Sequence, residues 1–391
     1  MRELMPRNFL ILMCLGVIGI AMFFLVKSPK HNVAVADSGS NIVSSPTIDV
    51  SQGAWIDVRA PNDIQQWVNE IGNMILIQNF AYISTENYGL QILNLSDPTH
   101  PKGVASVYFH TNVFQRYIPG SFFWTGKQLY VGAGCTGGML FILELAQPAV
   151  PTLLDAHYLT CEGMMYVAEN KAYIANHYSG LLVLDVSNPA DIKEYGSVGV
   201  SDLLSMEFGY RQGIPPVFLL AVYKDVALVT VWGFQPTVLR LNTSNPSKLV
   251  VVDKISGSSS SFRYDPNYAQ YGDTVYSSTQ DGIFSRKIEF GSSDITLLPS
   301  SQYSLTASSV IPNLFVTQNR LYLVSPEIGL RVYDISNKNT IKWIGRYQPL
   351  SAEITQVQVR NDEIALVAGA HIFQIVDVKE KNHYKLLFSA P

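Results

Sequence analysis

Cysteine is nearly absent, with three in 391 residues, which excludes a small fold stapled by disulfides. Charged side chains are also scarce, at 15% against 47% hydrophobic ones. This excludes a disordered polymer, because such chains cannot bury enough apolar surface to offset their ordering entropy. Positive charge is the scarcer sign. Arg2, Arg7, Lys27 and Lys30 stand against Glu3 near the N-terminus, so a formal charge of −4 leaves −7 on the rest. A body of that sign repels phosphate backbones, and nucleic acid is not an expected partner. Also missing are a Gly-x-Ser-x-Gly elbow, a phosphate-binding loop and a dinucleotide fingerprint. Beyond residue 26 no stretch carries the period of an amphipathic helix.

One long apolar run is present. Residues 9–26 read FLILMCLGVIGIAMFFLV without a charge, just long enough to cross a hydrocarbon core as a helix. Cleaved signal peptides have shorter apolar cores of about 7 to 15 residues, so the expectation is an uncleaved, single-pass signal anchor. A short tail of residues 1–8 precedes it, a polar tether of residues 27–45 follows, and the body, residues 46–391, faces the periplasm or the exterior. The alternative is secretion after cleavage near Ala36, in the small-residue site Ala34-Val35-Ala36.

The body repeats. AYISTENYGLQILNLSDPTHP from Ala81, AYIANHYSGLLVLDVSNPADI from Ala172 and LYLVSPEIGLRVYDISNKNTI from Leu321 lay directly over one another. Asn79, Asn170 and Asn319 precede them at a turn, and Gly89, Gly180 and Gly329 each follow ten positions later. With degenerate copies included, the turns fall at positions 79, 126, 170, 225, 272, 319 and 361, a mean period of 47. Short strands at that period make four strands per unit, and such units close radially, each covering its neighbour's apolar face. The expected fold is all-β, a seven-bladed β-propeller of four-stranded antiparallel blades near residues 74–107, 118–157, 161–198, 217–255, 262–300, 311–347 and 354–389. Asp97-Pro98, Asn188-Pro189 and Asn245-Pro246 stop the third strand and turn the chain. The last copy carries its own fourth strand at residues 384–389, while residues 47–60 alternate like a further strand, expected on or beside the last blade.

Gly-Leu-x-(Leu/Val)-x-Asp-Val-Ser-Asn-Pro, fullest at residues 180–189 and echoed at 89–98 and 329–337, resembles the LVIVD repeat of bacterial and archaeal surface propellers. The resemblance covers about residues 74–391, although the fourth unit lacks the Gly and the fifth the Ser-Asn-Pro turn. It implies a propeller at the cell surface or in the periplasm, and it implies no particular activity.

In such a ring the loops joining strands two and three share one face with those joining successive blades. Long loops on a rigid scaffold are where binding surfaces are built, and aromatic and Arg side chains serve as anchors there. The expected binding residues are Tyr88, Arg116, Tyr178, Trp232, Phe262, Arg263, Tyr264 and Tyr268. Cys135 and Cys161 fall on this face in adjacent blades; a disulfide between them would contribute roughly 3 kcal/mol, and two separate buried thiols are the alternative. Glu162 and His177, with Cys161, are the candidate metal ligands, set against the absence of any recognisable metal-ligand spacing. No catalytic residue is assigned and no cofactor is expected. Two functions follow. The first is a membrane-anchored, non-catalytic scaffold for a protein partner or surface polymer. The second is a metal-dependent hydrolase, lactonase or glycosidase-like, using carboxylates such as Glu86, Glu162, Glu327 and Glu353 at the channel mouth.

Overall fold

Ile42–Pro391 form one unit and Met1–Asn41 another. The computed structural model describes residues 53–112, 116–134, 137–160, 163–176, 179–200, 203, 217–231, 237–255, 268–279, 282–288, 295–297, 313–337, 341–348, 354–369 and 371–390. The expected anchor at residues 9–26 lies outside them, and among the described residues no helix is long and apolar enough to cross a membrane.

The body is a seven-bladed β-propeller. After β1 (Ala54–Arg59), a helical turn, α1 (Ile64–Trp67), leads into a 3-10 turn over Val68–Glu70. α1 is capped by Asp63, whose side chain accepts from Gln65 N. Blade one then holds β2 (Ile71–Ile77), β3 (Phe80–Thr85), β4 (Gly89–Asn94) and β5 (Lys102–Thr111), and blade two β6 (Pro119–Trp124), β7 (Gln128–Ala133), β8 (Met139–Glu144) and β9 (Thr152–Tyr158). Blade three is β10 (Met165–Ala168), β11 (Lys171–Ala175), β12 (Leu181–Asp185) and β13 (Lys193–Val198), and blade four β14 (Val217–Tyr223), β15 (Val226–Val231), β16 (Thr237–Asn242) and β17 (Val250–Ile255). Blade five is β18 (Tyr268–Tyr271), β19 (Thr274–Thr279), β20 (Gly282–Lys287) and β21 (Ile295–Leu297). Blade six is β22 (Asn313–Val316), β23 (Arg320–Ser325), β24 (Gly329–Asp334) and β25 (Lys342–Tyr347), and blade seven β26 (Ile354–Arg360), β27 (Ile364–Gly369), β28 (Ile372–Asp377) and β29 (Lys385–Ala390). Each blade is an antiparallel meander, and the first strands meet in turn around the ring, with β2 touching both β6 and β26.

The repeat motif is turn chemistry. Asp185 Oδ1 accepts from Ser187 N and Asn188 Oδ1 from Ala190 N, so Asp-Val-Ser-Asn-Pro is two side-chain turns in succession. Asn94 and Asn242 bond Ser96 N and Ser244 N in the same way. The carbonyl of Asn79 accepts from Leu95 N, and Asn170, Asp225, Asp273, Asn319 and Glu363 accept equivalently from Val186, Thr243, Ile288, Ile335 and Val378. At the first of these turns the left-handed residue is Gln78 rather than Asn79. Gly180 has φ +102°, and a Cβ there would meet Val198 O at 2.0 Å, which is why Gly opens the third strand.

Blades pack through apolar faces pinned by tyrosine. Tyr82, Tyr130, Tyr173, Tyr276 and Tyr322 occupy the same place in the second strand of five blades, all buried. Tyr82 donates to Pro148 O, Tyr173 to Thr243 Oγ1 and Tyr322 to Asp362 Oδ1, each in the next blade. Burial pushes these phenols up, Tyr130 to about 12.

Two features depart from expectation. The N-terminal strand does not join the last blade: β1 pairs with β5, Ala54 opposite Thr111 through Arg59 opposite Ser106, giving blade one a fifth strand. Alternation identifies a strand and its apolar face but not its edge. The long β5 offers the partner, and Ala54 and Val58 bury against Val107 and Phe109 in the core between blades one and two. The last blade, with its own β29, closes against blade one through side chains. Trp67, fully buried, packs with Ile83, Leu366 and Phe373, and His371 Nδ1 lies 3.0 Å from Asn69 Oδ1. α1, a single turn, is too short to show a helical period.

Candidate binding face and central channel

The two faces of the ring are built differently. The third and fourth strands of every blade are joined by seven residues: 95–101, 145–151, 186–192, 243–249, 288–294, 335–341 and 378–384. First and second strands are joined by two or three residues on that same face. The opposite face receives the connections between blades, which vary: 112–118, 159–164, 199–216, 256–267, 298–312 and 348–353, from 6 to 18 residues. It also receives residues 60–70. Here Glu70 grips the loop after β3, accepting from Asn87 N at 2.7 Å and Asn87 Nδ2 at 2.9 Å.

Three of the expected binding residues are described, and they stand in three settings. Tyr88 is partly buried against the core joining blades one and seven, its N–H donating to Thr85 Oγ1 and its carbonyl accepting from Gln91 Nε2. Arg116 is exposed, its guanidinium 4.9 Å from the Tyr108 ring centroid, with Arg59 at 4.8 Å from the same centroid. Tyr268 lines the central channel. Tyr178, Trp232, Phe262, Arg263, Tyr264, the metal candidates Glu162 and His177, and Cys135 and Cys161 lie outside the described residues. Among the described residues no three His, Cys, Asp or Glu side chains group as metal ligands. On this face Ile118, Tyr158 and Met164 expose 46%, 53% and 38% of their surface, apolar contacts that the sequence pattern did not single out.

The channel is a cavity of about 450 Å3. Its described lining comes from first strands and from Met164 just before β10, and includes Asn73, Phe122, Tyr268, Gln270, Asn313, Phe315, Gln356 and Gln358, with no charged side chain among them. Several carboxamides bridge neighbouring blades, where the inner strands share no backbone ladder. Asn73 Nδ2 donates to Gly120 O, Gln356 Nε2 to Gly72 O, and Gln270 clasps Val222 through both its N–H and its carbonyl. Burial raises the Tyr268 phenol above its ordinary range. The described lining can therefore orient neutral polar groups.

The LVIVD-repeat family model matches residues 73–108 and 165–200, which are blades one and three. Two blades are LVIVD repeats. Among solved structures, this propeller is similar to the complex of KlAtg21 with the coiled-coil of AgAtg16, at 9% identity over 82% of this chain and 99% of that one, TM-score 0.54. It is similar to the computationally designed Ika8 protein, at 10% identity over 82% and 86%, TM-score 0.51. PorZ, a bacterial surface component of the type-IX secretion system of Porphyromonas gingivalis, is 14% identical over 85% of this chain and 39% of its own, TM-score 0.51. At such identities the likeness is one of fold. No curated protein matches the sequence.

Proposed function

We propose that this chain is a non-catalytic binding propeller that carries a protein partner or surface polymer on the face where the connections between blades emerge. The observation that supports this most is the contrast between faces. One face repeats a seven-residue connection in all seven blades, whereas the other joins blades with 6 to 18 residues. A chain that fixes one face and varies the other has put its individuality where a partner can read it. The exposed Ile118, Tyr158 and Met164, with Arg116 beside Tyr108, supply anchors of the kind that dominate binding energy. On this reading Tyr178, Trp232, Phe262, Arg263 and Tyr264 belong to the same face. The apolar run at residues 9–26 anchors the chain, with the propeller in the periplasm or outside the cell.

The test is capture from membrane extracts by the full chain and by a variant in which Phe262, Arg263 and Tyr264 are all alanine. The reading expects one partner retained by the first and lost, by about tenfold or more, by the second. Equal retention by both would remove these residues from the binding face.

A further inference from the structure

Two carboxamides in the channel bridge none of the described residues. The side chains of Asn313 and Gln358 line the cavity and hydrogen-bond to none of the described residues. They belong to the neighbouring inner strands β22 and β26, and the repeat fixes their depth. Asn319 and Glu363 are equivalent turn acceptors; Asn313 stands six residues before the first and Gln358 five before the second. Asn313 pairs with Val324, five residues after its acceptor, and Gln358 with Leu366, three after its own, so the two amides stand two residues apart in depth. Tyr268 pairs with Ser277, four residues after the equivalent Asp273, at a depth between the two amides. Phe122 stands three before Thr125 as Leu314 does before Thr317, and Thr125 and Thr317 make the same turn bond. A band three residues deep thus holds two open carboxamides on adjacent inner strands, a phenol between their levels in blade five, and an aromatic ring at the level of that phenol across the channel in blade two.

The chemistry of the band selects its ligand. Each carboxamide offers donors and an acceptor together, which suits vicinal hydroxyls that also donate and accept. The faces of Phe122 and Tyr268 suit the C–H faces of a pyranose ring. An ionic ligand would give up its hydration without meeting an opposite charge in the described lining, and a wholly apolar one would leave the amides unpaired. The cavity of about 450 Å3 falls within the range of about 300 to 1,000 Å3 usual for small-ligand sites.

We propose that the central channel binds a neutral saccharide unit, held by Asn313 and Gln358 and stacked against Tyr268 and Phe122. This rests on the reading of the chain as a binding propeller and names the class of polymer whose end it takes. The experiment uses the full chain in a detergent without a sugar headgroup. Saturation-transfer NMR and calorimetry are run with glucose, galactose, mannose and N-acetylglucosamine and their disaccharides, and with glucuronate and glucose 6-phosphate as charged counterparts. At least one neutral sugar should saturate, and its charged counterpart should bind about tenfold or more weakly. Asn313→Leu with Gln358→Met should lose that binding while the thermal midpoint stays near the parent's. Should that pair fail to fold, Tyr268→Leu alone should weaken it about tenfold. No neutral sugar binding at up to about 50 mM, a preference for the charged counterparts, or an affinity unchanged in folded channel variants would each overturn the proposal. In the last case sugar is bound elsewhere and the binding-propeller reading stands; partner capture that survives the channel substitutions separates the two in the same way.

Discussion

Arg360 in the last blade donates through Nη1 to Asn79 Oδ1 in the first at 2.9 Å, and to Leu95 O at 3.3 Å. Arg320 reaches the same place one junction earlier, donating to Val378 O, the counterpart of Leu95 O, at 2.8 Å and to Asp362 O at 3.0 Å. The ring is thus sealed where its ends meet by the same device that joins an internal pair of blades. Replacing Arg360 with Leu should cost about 1–3 kcal/mol, the range for losing hydrogen bonds to a charged group. Arg320→Leu should cost a similar amount. Urea unfolding midpoints check both, and a loss confined to Arg320 would show that the closing junction contributes nothing special.

The inter-blade tyrosines set an alkaline limit. Their folded phenols titrate above the ordinary value of 10.0, Tyr130 at about 12, so the folded protein holds these protons more tightly than the unfolded chain. That stabilisation is complete below pH 10 and is lost as pH rises towards 12 and beyond. Stability measured between pH 8 and 12 should be flat and then fall, and Tyr82→Phe should soften the fall while costing about 1 kcal/mol at neutral pH for its bond to Pro148 O. Stability unchanged at pH 12 would contradict this account.

Two glycines separate space from backbone conformation. Gly180 and Gly126 both have left-handed φ, +102° and +90°, but a Cβ at Gly180 meets Val198 O at 2.0 Å whereas one at Gly126 meets nothing within 4 Å. Gly126→Ala should cost about 1 kcal/mol for conformation alone. Gly180→Ala should cost about 3 kcal/mol or more because backbone must also move. Paired melts decide it, and equal costs would refute the steric argument.

Whether Cys135 and Cys161 form a disulfide or stay two separate thiols can be counted chemically. Gly137 N donates to Thr160 O at 3.2 Å, a bond between the residue two after Cys135 and the residue one before Cys161 in sequence, so a disulfide is the predicted state. Protein made in an oxidising compartment and then denatured should show one free thiol, Cys14, of the three in the chain. Three free thiols would mean that the pair stays reduced.

Much of this ring can be read in the sequence, for a physical reason. Each blade needs the same turns, so Gly89, Gly180 and the Asp-Val-Ser-Asn-Pro run recur at a readable period. The recurring Tyr82, Tyr130, Tyr173, Tyr276 and Tyr322 were equally visible, but that their hydroxyls reach the next blade depends on inter-blade distance, which no local pattern carries. The partner of β1 was misplaced because alternation is blind to which edge a strand joins. The channel band was hidden for the same reason as the tyrosine bridges. Asn313 and Gln358 are unremarkable until the ring sets their strands side by side, and the loop residues chosen for their aromatic character carry no spacing that fixes their neighbours.

The central claim is that partners meet the face of unequal connections. The most direct measurement places a photo-crosslinking residue at Tyr158 or Met164 on that face, and at Ser187 or Ser336 on the face of uniform turns, in the full chain expressed in cells. Crosslinks to one partner or polymer from Tyr158 and Met164, with none from Ser187 and Ser336, are the expected result. Crosslinks from the uniform-turn face alone would contradict it.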